Sequence, residues 1–309
     1  MAALLSAALG LPLTATAQSG QSGYEYLHIP VSAHSAALGG SNISIGEDDV
    51  TLVFENPALL SNVSDLTLNF DFTSYIAGSK KLSAGFARQI GNRGTWAVGA
   101  QYLSYGSMTE TDRTGAEIGK FSASDIDIQG SYAYMLSDYW SGGVTAKLLF
   151  SKYADYNAFA MGVDLGINYY NEDIGTSVSL VARNLGGQIK ALYEDREKLP
   201  FCLGLGWSQT LRNAPLRISV TLDDLTHWKD INFIQHCILG IDFFPSDNTW
   251  VALGYNVRRA HEMKAGDSRH WAGFSLGAGL SIKSFKVGIA YGKYHITASS
   301  LMGNISYVF

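Results

Sequence analysis

From about Leu66 to its end, the chain keeps a strict two-residue period over segments too long for a soluble strand to need it. In Phe159 to Tyr169, Phe159, Met161, Val163, Leu165, Ile167 and Tyr169 alternate with Ala160, Gly162, Asp164, Gly166 and Asn168. In Asp125 to Leu136, Ile126, Ile128, Tyr132, Tyr134 and Leu136 lie opposite Asp125, Asp127, Gln129 and Ser131. Leu216, Ile218, Val220 and Leu222 likewise alternate with Arg217, Ser219, Thr221 and Asp223. Successive strand residues point to opposite faces, so these segments build a sheet with one apolar and one polar face. Beyond the N-terminus no stretch approaches the roughly 18 uninterrupted apolar residues of a spanning helix. If the chain crosses a membrane it must do so as a closed β-barrel, the other solution that satisfies every backbone hydrogen bond in lipid.

About 14 such segments can be counted between Leu66 and Phe309, an even number as single-chain bacterial barrels require. The expected architecture is an all-β, 14-stranded antiparallel transmembrane outer-membrane barrel. Connection lengths alternate as well. Gly91-Asn92-Arg93-Gly94, Ser137-Asp138-Tyr139, Asn171-Glu172-Asp173, Arg212-Asn213-Ala214, Ser246-Asp247-Asn248 and Lys283-Ser284 read as short turns. The stretches 107–122, 187–198, 225–233 and 260–269 read as longer loops. Short turns on one rim and long loops on the other place the short rim in the periplasm. A soluble sandwich is the competing architecture, and it has no reason to sort its loops by rim. Charged residues at 16% and only 6 prolines fit a lipid-exposed wall. Aromatics near segment ends, among them Tyr102, Tyr105, Tyr139, Trp140, Tyr169, Tyr170, Phe243, Phe244, Trp250 and Trp271, are expected to form interfacial girdles.

The ends of the chain point to the same compartment. Met1 to Leu13 is apolar and uncharged, and Ala15-Thr16-Ala17 before Gln18 is a small-x-small cleavage site, so residues 1–17 read as a signal peptide. At the other end Ile305, Tyr307 and Phe309 alternate with Asn304 and Ser306, a terminal strand whose last aromatics, Tyr307 and Phe309, read as a signal to the outer-membrane barrel assembly machinery. Residues 18–65 lack long alternation and are rich in small and apolar residues, which predicts a plug segment packed in the lumen of a barrel formed by 66–309.

The stretch His34-Ser35-Ala36-Ala37-Leu38-Gly39-Gly40, the acidic run Glu47-Asp48-Asp49 and Asn56-Pro57-Ala58-Leu59-Leu60 together resemble the N-terminal region of the long-chain fatty-acid transporter (FadL-like) family of barrels. Within it, the chain is most similar to the Bacteroidota branch related to PorV of the type IX secretion system. The resemblance implies 14 strands with an N-terminal plug carrying Gly39, Gly40, Asn56 and Pro57 as motif residues. It also implies a non-enzymatic anchor in the cell outer membrane, holding a cell-surface attachment complex through a PorZ-like surface protein, with PorU and PorV as further partners. That complex processes secreted cargo and links it to lipopolysaccharide. The alternative within the family is a transporter of long-chain fatty acids or other hydrophobic solutes. A transporter is expected to have an apolar pocket reaching a lateral opening marked by a kinked strand.

No motif argues for catalysis, a cofactor or a metal. Gly-x-Ser-x-Gly, His-Glu-x-x-His and phosphate-loop patterns are all lacking. His227 near Asp223 and Asp224, and His261 near Glu262 and Asp267, fall in expected loops, where solvated polar residues are the default. Glu47-Asp48-Asp49 lacks the spaced ligands of a calcium loop and reads better as a lumen-facing or helix-capping turn. Asn56-Pro57 reads as a turn. Cys202 and Cys237 lie on separate strands and read as free thiols. A net charge of −5 gives no sign of nucleic-acid binding; outer-membrane lipid is expected around the barrel. Trp228, Ile231 and Phe233 in the loop 225–233 are the expected partner-binding residues, with folding back onto the barrel mouth as the open alternative. The mixed charges of 187–198 suit either an interface rim or a solvated loop.

Overall fold

The computed structural model describes residues 23–192, 196–227, 232–262, 271–293 and 299–309. Fourteen strands form a closed antiparallel barrel in which each pairs with its sequence neighbours and the last pairs with the first. They are β1 (Thr67–Ser74), β2 (Lys80–Ile90), β3 (Gly94–Thr111), β4 (Glu117–Met135), β5 (Trp140–Tyr153), β6 (Tyr156–Asn171) and β7 (Thr176–Lys190), then β8 (Cys202–Thr210), β9 (Leu216–Leu222), β10 (Cys237–Ser246), β11 (Thr249–Asn256), β12 (Phe274–Ile282), β13 (Phe285–Lys293) and β14 (Ser299–Val308). Closure runs through an unbroken register from Thr67↔Val308 to Ser74↔Leu301. Among the described residues no helix is long and apolar enough to cross a membrane.

The barrel is inverted relative to a soluble protein. Phe70, Leu82, Val98, Ile128, Leu165, Leu253, Ile289 and Leu301 point outward and are exposed, while Asn69, Asp71, Asp127, Lys147, Asp164, Arg217 and Asp242 point inward and are buried. Small inward residues leave the lumen wide enough to fill: Ala87, Ala97 and Ala133 on one wall, Ala252 and Ala290 on the other.

What fills it is the N-terminal segment. It runs from a short helical turn at Glu25–His28 through α1 (Ala33–Ala37) to tight turns at Val50–Phe54 and Pro57–Asn62, and enters β1 through Leu66. Val31, Val50, Val53, Phe54, Leu60 and Val63 pack on the alanines of β2, β3 and β4. Ala33, Ala37, Leu38, Ile45, Leu52 and Leu59 pack on β11, β13 and β14, where Met302 joins them. Two wall glycines make this approach possible. A Cβ on Gly254 would lie 2.1 Å from the Gly39 nitrogen, and one on Gly143 would lie 2.4 Å from the Pro57 carbonyl carbon. Side chains there would have to push plug backbone aside.

Two expectations need correction. Residues 107–122 are mostly strand: β3 and β4 pair out to Thr111↔Glu117 and project past their neighbours as a hairpin closed by a turn at 112–116. Polar residues dominate this hairpin because both of its faces meet solvent there, so the apolar alternation that marks a wall strand is lost while backbone pairing continues. The girdle also has fewer members than expected. Tyr102, Tyr139, Trp140, Phe243 and Trp271 are exposed on the outside. Trp250 instead stacks on His34 inside, with ring centroids 3.8 Å apart, Phe244 lies under the Arg217 guanidinium, and the Tyr105 hydroxyl donates to Asp125 at 2.7 Å. An aromatic at a strand end serves either face, and its parity within its own strand decides which.

The terminal strand makes a test of its own. The Phe309 amide donates to the Leu66 carbonyl at 3.2 Å and its ring meets Tyr307 edge-on at 4.8 Å, yet its side chain is 70% exposed. Deleting Phe309 therefore removes little packing. We expect it to reduce the amount of heat-modifiable barrel in cells strongly while leaving refolding from urea into detergent nearly unchanged. Equal losses in both measurements would make Phe309 a packing residue and remove its role as an assembly signal.

Candidate functional site

The chemistry-bearing side chains converge on the seam between plug and wall. At the rim with short turns, His34 of α1 sits between two carboxylates, its Nδ1 2.7 Å from Glu47 and its Nε2 2.6 Å from Asp242 of β10. Arg217 of β9 bridges the same two carboxylates, at 2.6 Å to Glu47 and 2.7 Å to Asp242. Four charged groups thus alternate in sign around a closed ring, two from the plug and two from the wall. Burial alone would lower the His34 pKa, but Glu47 and Asp242 overcome it and hold the imidazole protonated to about 9. Burial opposes ionisation of Glu47 too, and His34 and Arg217 hold it well below the usual carboxylate range. A ring so satisfied fixes position; taking away one member leaves the buried His34 and Asp242 or their partners without a counter-charge.

Other plug residues repeat the arrangement. Arg183 of β7 donates to Glu55 at 2.9 Å and to Asp223 at 2.6 Å. Burial pushes the Glu55 carboxyl up, with Arg183 opposing. Lys286 of β13 lies 2.5 Å from Asp48, which also accepts from the Ser64 amide at 2.7 Å. Lys81 of β2, 2% exposed, donates to the Ile29 carbonyl at 2.6 Å. A cleft of about 280 Å³ opens between plug and wall at the short-turn rim, with His34, Glu47, Asp49, Trp250 and Lys286 among its lining.

The plug motifs act as local geometry. Gly39 and Gly40 end α1 with φ of +110° and +100°, a region that favours glycine. Asn56 caps the Pro57–Asn62 turn, its Oδ1 accepting from the Ala58 amide at 3.0 Å and its Nδ2 donating to the Ile43 carbonyl at 2.9 Å. Pro57 stands at the first position of that turn, where its missing N–H costs nothing. Asp49 caps the Val50–Phe54 turn. The acidic run is therefore divided among three tasks, and among the described residues no cluster of His, Cys, Asp and Glu is arranged to hold a metal ion.

At the rim with long loops, His227 lies 2.6 Å from Asp224, which Arg258 of α2 (Val257–Glu262) reaches at 2.6 Å; Glu262 pairs with Arg258 at 2.7 Å. These contacts tie the β9–β10 connection to α2. Asp267, Trp228 and Ile231 lie outside the described residues. Phe233 is 56% exposed and its neighbour Ile234 65% exposed. Ile234 was not expected from sequence, although adjacent apolar residues in a loop were the available signal. Cys202 is buried against Arg183 and Asp223, and both cysteines are free.

One feature of the wall is irregular. β7 pairs with β8 only up to Arg183↔Cys202, although β6 continues to pair with it up to Lys190. At the break Asn184 has a φ of +61°, its amide donates to Asp164 at 2.7 Å, and Lys147 holds both, at 2.6 Å to Asp164 and 3.0 Å to Asn184. Above it, among the described residues, an isolated bridge, Gly187↔Lys198, connects β7 to the following segment. Leu199 turns inward there and joins Tyr24, Tyr26, Ile29, Leu103, Leu149 and Ala160 in an apolar cluster of the lumen.

The sequence matches no family model and no curated protein. In fold the chain is similar to the Pseudomonas putida toluene transporter TodX, with a TM-score of 0.57 and 13% identity over 90% of this chain and 96% of that one. It is also similar to the monoaromatic hydrocarbon channel CymD, at 0.59 and 13% over 91% and 97%, and to a Pseudomonas aeruginosa FadL homologue, at 0.53 and 12% over 89% and 97%. At such identities the likeness is one of fold, a closed antiparallel barrel.

Proposed function

We propose that this barrel is an outer-membrane channel for a hydrophobic solute, a long-chain fatty acid or a molecule of similar character. The observation that carries the reading is the break between β7 and β8, set beside the apolar cluster around Leu199. Among the described residues, a stretch of wall left without ladder pairing beside this apolar cluster gives an apolar solute a way between lumen and lipid that avoids water. The fold shared with a toluene transporter and a hydrocarbon channel supports the same reading.

The bridge at Gly187↔Lys198 allows a direct test. With Gly187→Cys and Lys198→Cys, an oxidised pair would staple the break, since bridged residues lie within disulfide reach. Uptake of a fluorescent long-chain fatty acid into vesicles should fall to a small fraction on oxidation and return on reduction. Uptake indifferent to a verified staple would rule out the break as the route.

A second reading has its own support. Phe233 and Ile234 stand side by side, both strongly exposed, at the long-loop rim beside α2. Paired exposed apolar residues of this kind suit docking of a surface protein, as in a PorQ-like component of the type IX secretion system that anchors a PorZ-like partner, with PorU and PorV in the same complex. Changing both residues to Ser should abolish most co-purification of such a partner from solubilised outer membrane without altering heat-modifiability. Undiminished capture would exclude this rim, and a barrel that purifies alone from cells that still attach their surface proteins would remove the anchor reading.

A further inference from the structure

Two neighbouring rows on the outside of the barrel differ sharply in chemistry. Phe72, Leu82, Tyr102, Ile126, Phe150 and Phe159 pair directly, each with the next, across β1 to β6. All but Phe159 are exposed large apolar side chains. One pleat repeat nearer the long-loop rim, the paired row is Ser74, Lys80, Ser104, Ser124, Lys152 and Asn157. The change from apolar to hydrophilic thus falls within two residues on six consecutive strands. On β7, Lys190 pairs with Phe159 and adds a third lysine.

The second row is more than a hydrophilic margin. It holds hydroxyls, an amide and lysines but no carboxylate; Asp125, next to Ser124, faces the lumen and is buried, and Asp155 lies in the turn beyond. Among the described residues none of Lys80, Lys152 and Lys190 takes part in an ion pair. Strand spacing puts Lys80 and Lys152 roughly 14 Å apart, and Lys152 and β7 roughly 10 Å apart. Turns on the opposite rim mix their signs instead, with Arg88, Arg93, Arg212 and Lys283 among Asp65, Asp138, Glu172 and Asp173. Because strands of a barrel are tilted, a register row climbs as it crosses them. The lysines are therefore spread over the depth of a headgroup layer, where long methylene stems let an ammonium reach the interface from the edge of an apolar belt.

We infer that this arc of Lys80, Lys152 and Lys190, with its flanking hydroxyls, binds the phosphate-bearing headgroups of anionic lipid in the leaflet on the long-loop side. Ammonium groups suit phosphate as point charges, and hydroxyls donate to the remaining oxygens. Unlike the mouth and the plug, this surface is continuous with the apolar belt, so its ligand is presented by the membrane itself. The inference rests on the barrel spanning a membrane and is independent of what passes through it.

The test uses the full chain, refolded and delipidated, offered to nanodiscs of phosphatidylcholine containing either diphosphorylated lipid A or the same lipid without phosphates, with retained lipid read by native mass spectrometry. Wild type should retain the phosphorylated form preferentially. Lys80→Gln, Lys152→Gln and Lys190→Gln together should lower that preference by about a hundredfold. Heat-modifiability reports that the variant is folded, and Lys283→Gln on the opposite rim should change nothing. Equal retention of the two lipids by wild type, or an unchanged preference in the triple variant, overturns the assignment. So does displacement of the lipid by millimolar inorganic phosphate, which would make the arc a site for free phosphate. Solute uptake read in parallel separates the two proposals: a barrel that binds lipid and carries no solute sinks the channel alone.

Discussion

Replacing Arg217 with Met should release the plug. Arg217 joins β9 to both Glu47 and Asp242, and without it one cation is left among two carboxylates, with His34 and Asp242 buried and Glu47 part-exposed. Breaking a buried ionic arrangement by removing one partner costs about 3–5 kcal/mol, since the groups left behind have lost their water as well as their partner. Hydrogen exchange of residues 33–60 should accelerate by roughly a hundredfold or more while amides of the wall strands stay protected. Arg217→Lys should recover only part of the protection, because one ammonium cannot reproduce the fork that spans two carboxylates. The same ring predicts a pH dependence. His34 has its pKa raised to about 9, so its contribution is complete below the unfolded value near 6.5 and is lost as pH rises through about 9. Glu47 is depressed, so its contribution is present above its unfolded value and is lost in acid. Plug protection should therefore be greatest between roughly pH 5 and 6.5 and decline on either side. In His34→Gln the alkaline decline should disappear. Wild-type protection that is flat from pH 6 to 10 would mean that the ring does not hold the plug.

A second large effect is expected at the wall glycines. Gly254→Leu sets a branched side chain where the Gly39 nitrogen and Leu38 carbonyl carbon already lie 2.1 and 2.2 Å from the position of a first carbon. Gly143→Leu does the same against Pro57 and Ala58. Even one added methylene group in a packed interior costs about 1–3 kcal/mol, and here the obstacle is backbone with no rotamer to move. Each substitution should leave the barrel heat-modifiable, because the strand pairing is untouched, but displace the plug. In planar bilayers the wild type should be nearly silent and the double variant should conduct. A double variant as silent as wild type, with its plug still protected from exchange, would show that the wall yields instead. Gly130, whose added Cβ would meet nothing, is the control position.

Much of the barrel was legible because its signal is local. A two-residue period, turn chemistry and a ban on long apolar helices act within a few residues, and the 14 strands and their closure follow from them. The extended β3–β4 hairpin was missed because backbone pairing persists where the apolar face ends. The inward turn of Trp250 was missed because an aromatic at a strand end was read as a girdle member, although alternation with the outward Val251 and Leu253 puts it on the lumen side with Ala252. For the plug, sequence predicted a packed segment over 18–65 in the lumen but none of its contacts with the wall. Asn56-Pro57 was read as a turn from Pro geometry, and the cap it forms is equally local.

The alternation of apolar and polar residues by itself determined that this chain makes a wall with an apolar outer face and a polar lumen. Only the tertiary structure decided what the lumen holds and how. His34 meets Asp242 across 208 positions of sequence, Arg217 meets Glu47 across 170, Lys286 reaches Asp48 across 238, and Arg183 reaches Glu55 across 128. A buried charge must find an opposite charge wherever the closed barrel brings one within reach. Which strand supplies it depends on register and on the path of the plug, and neither is written in any short window of residues.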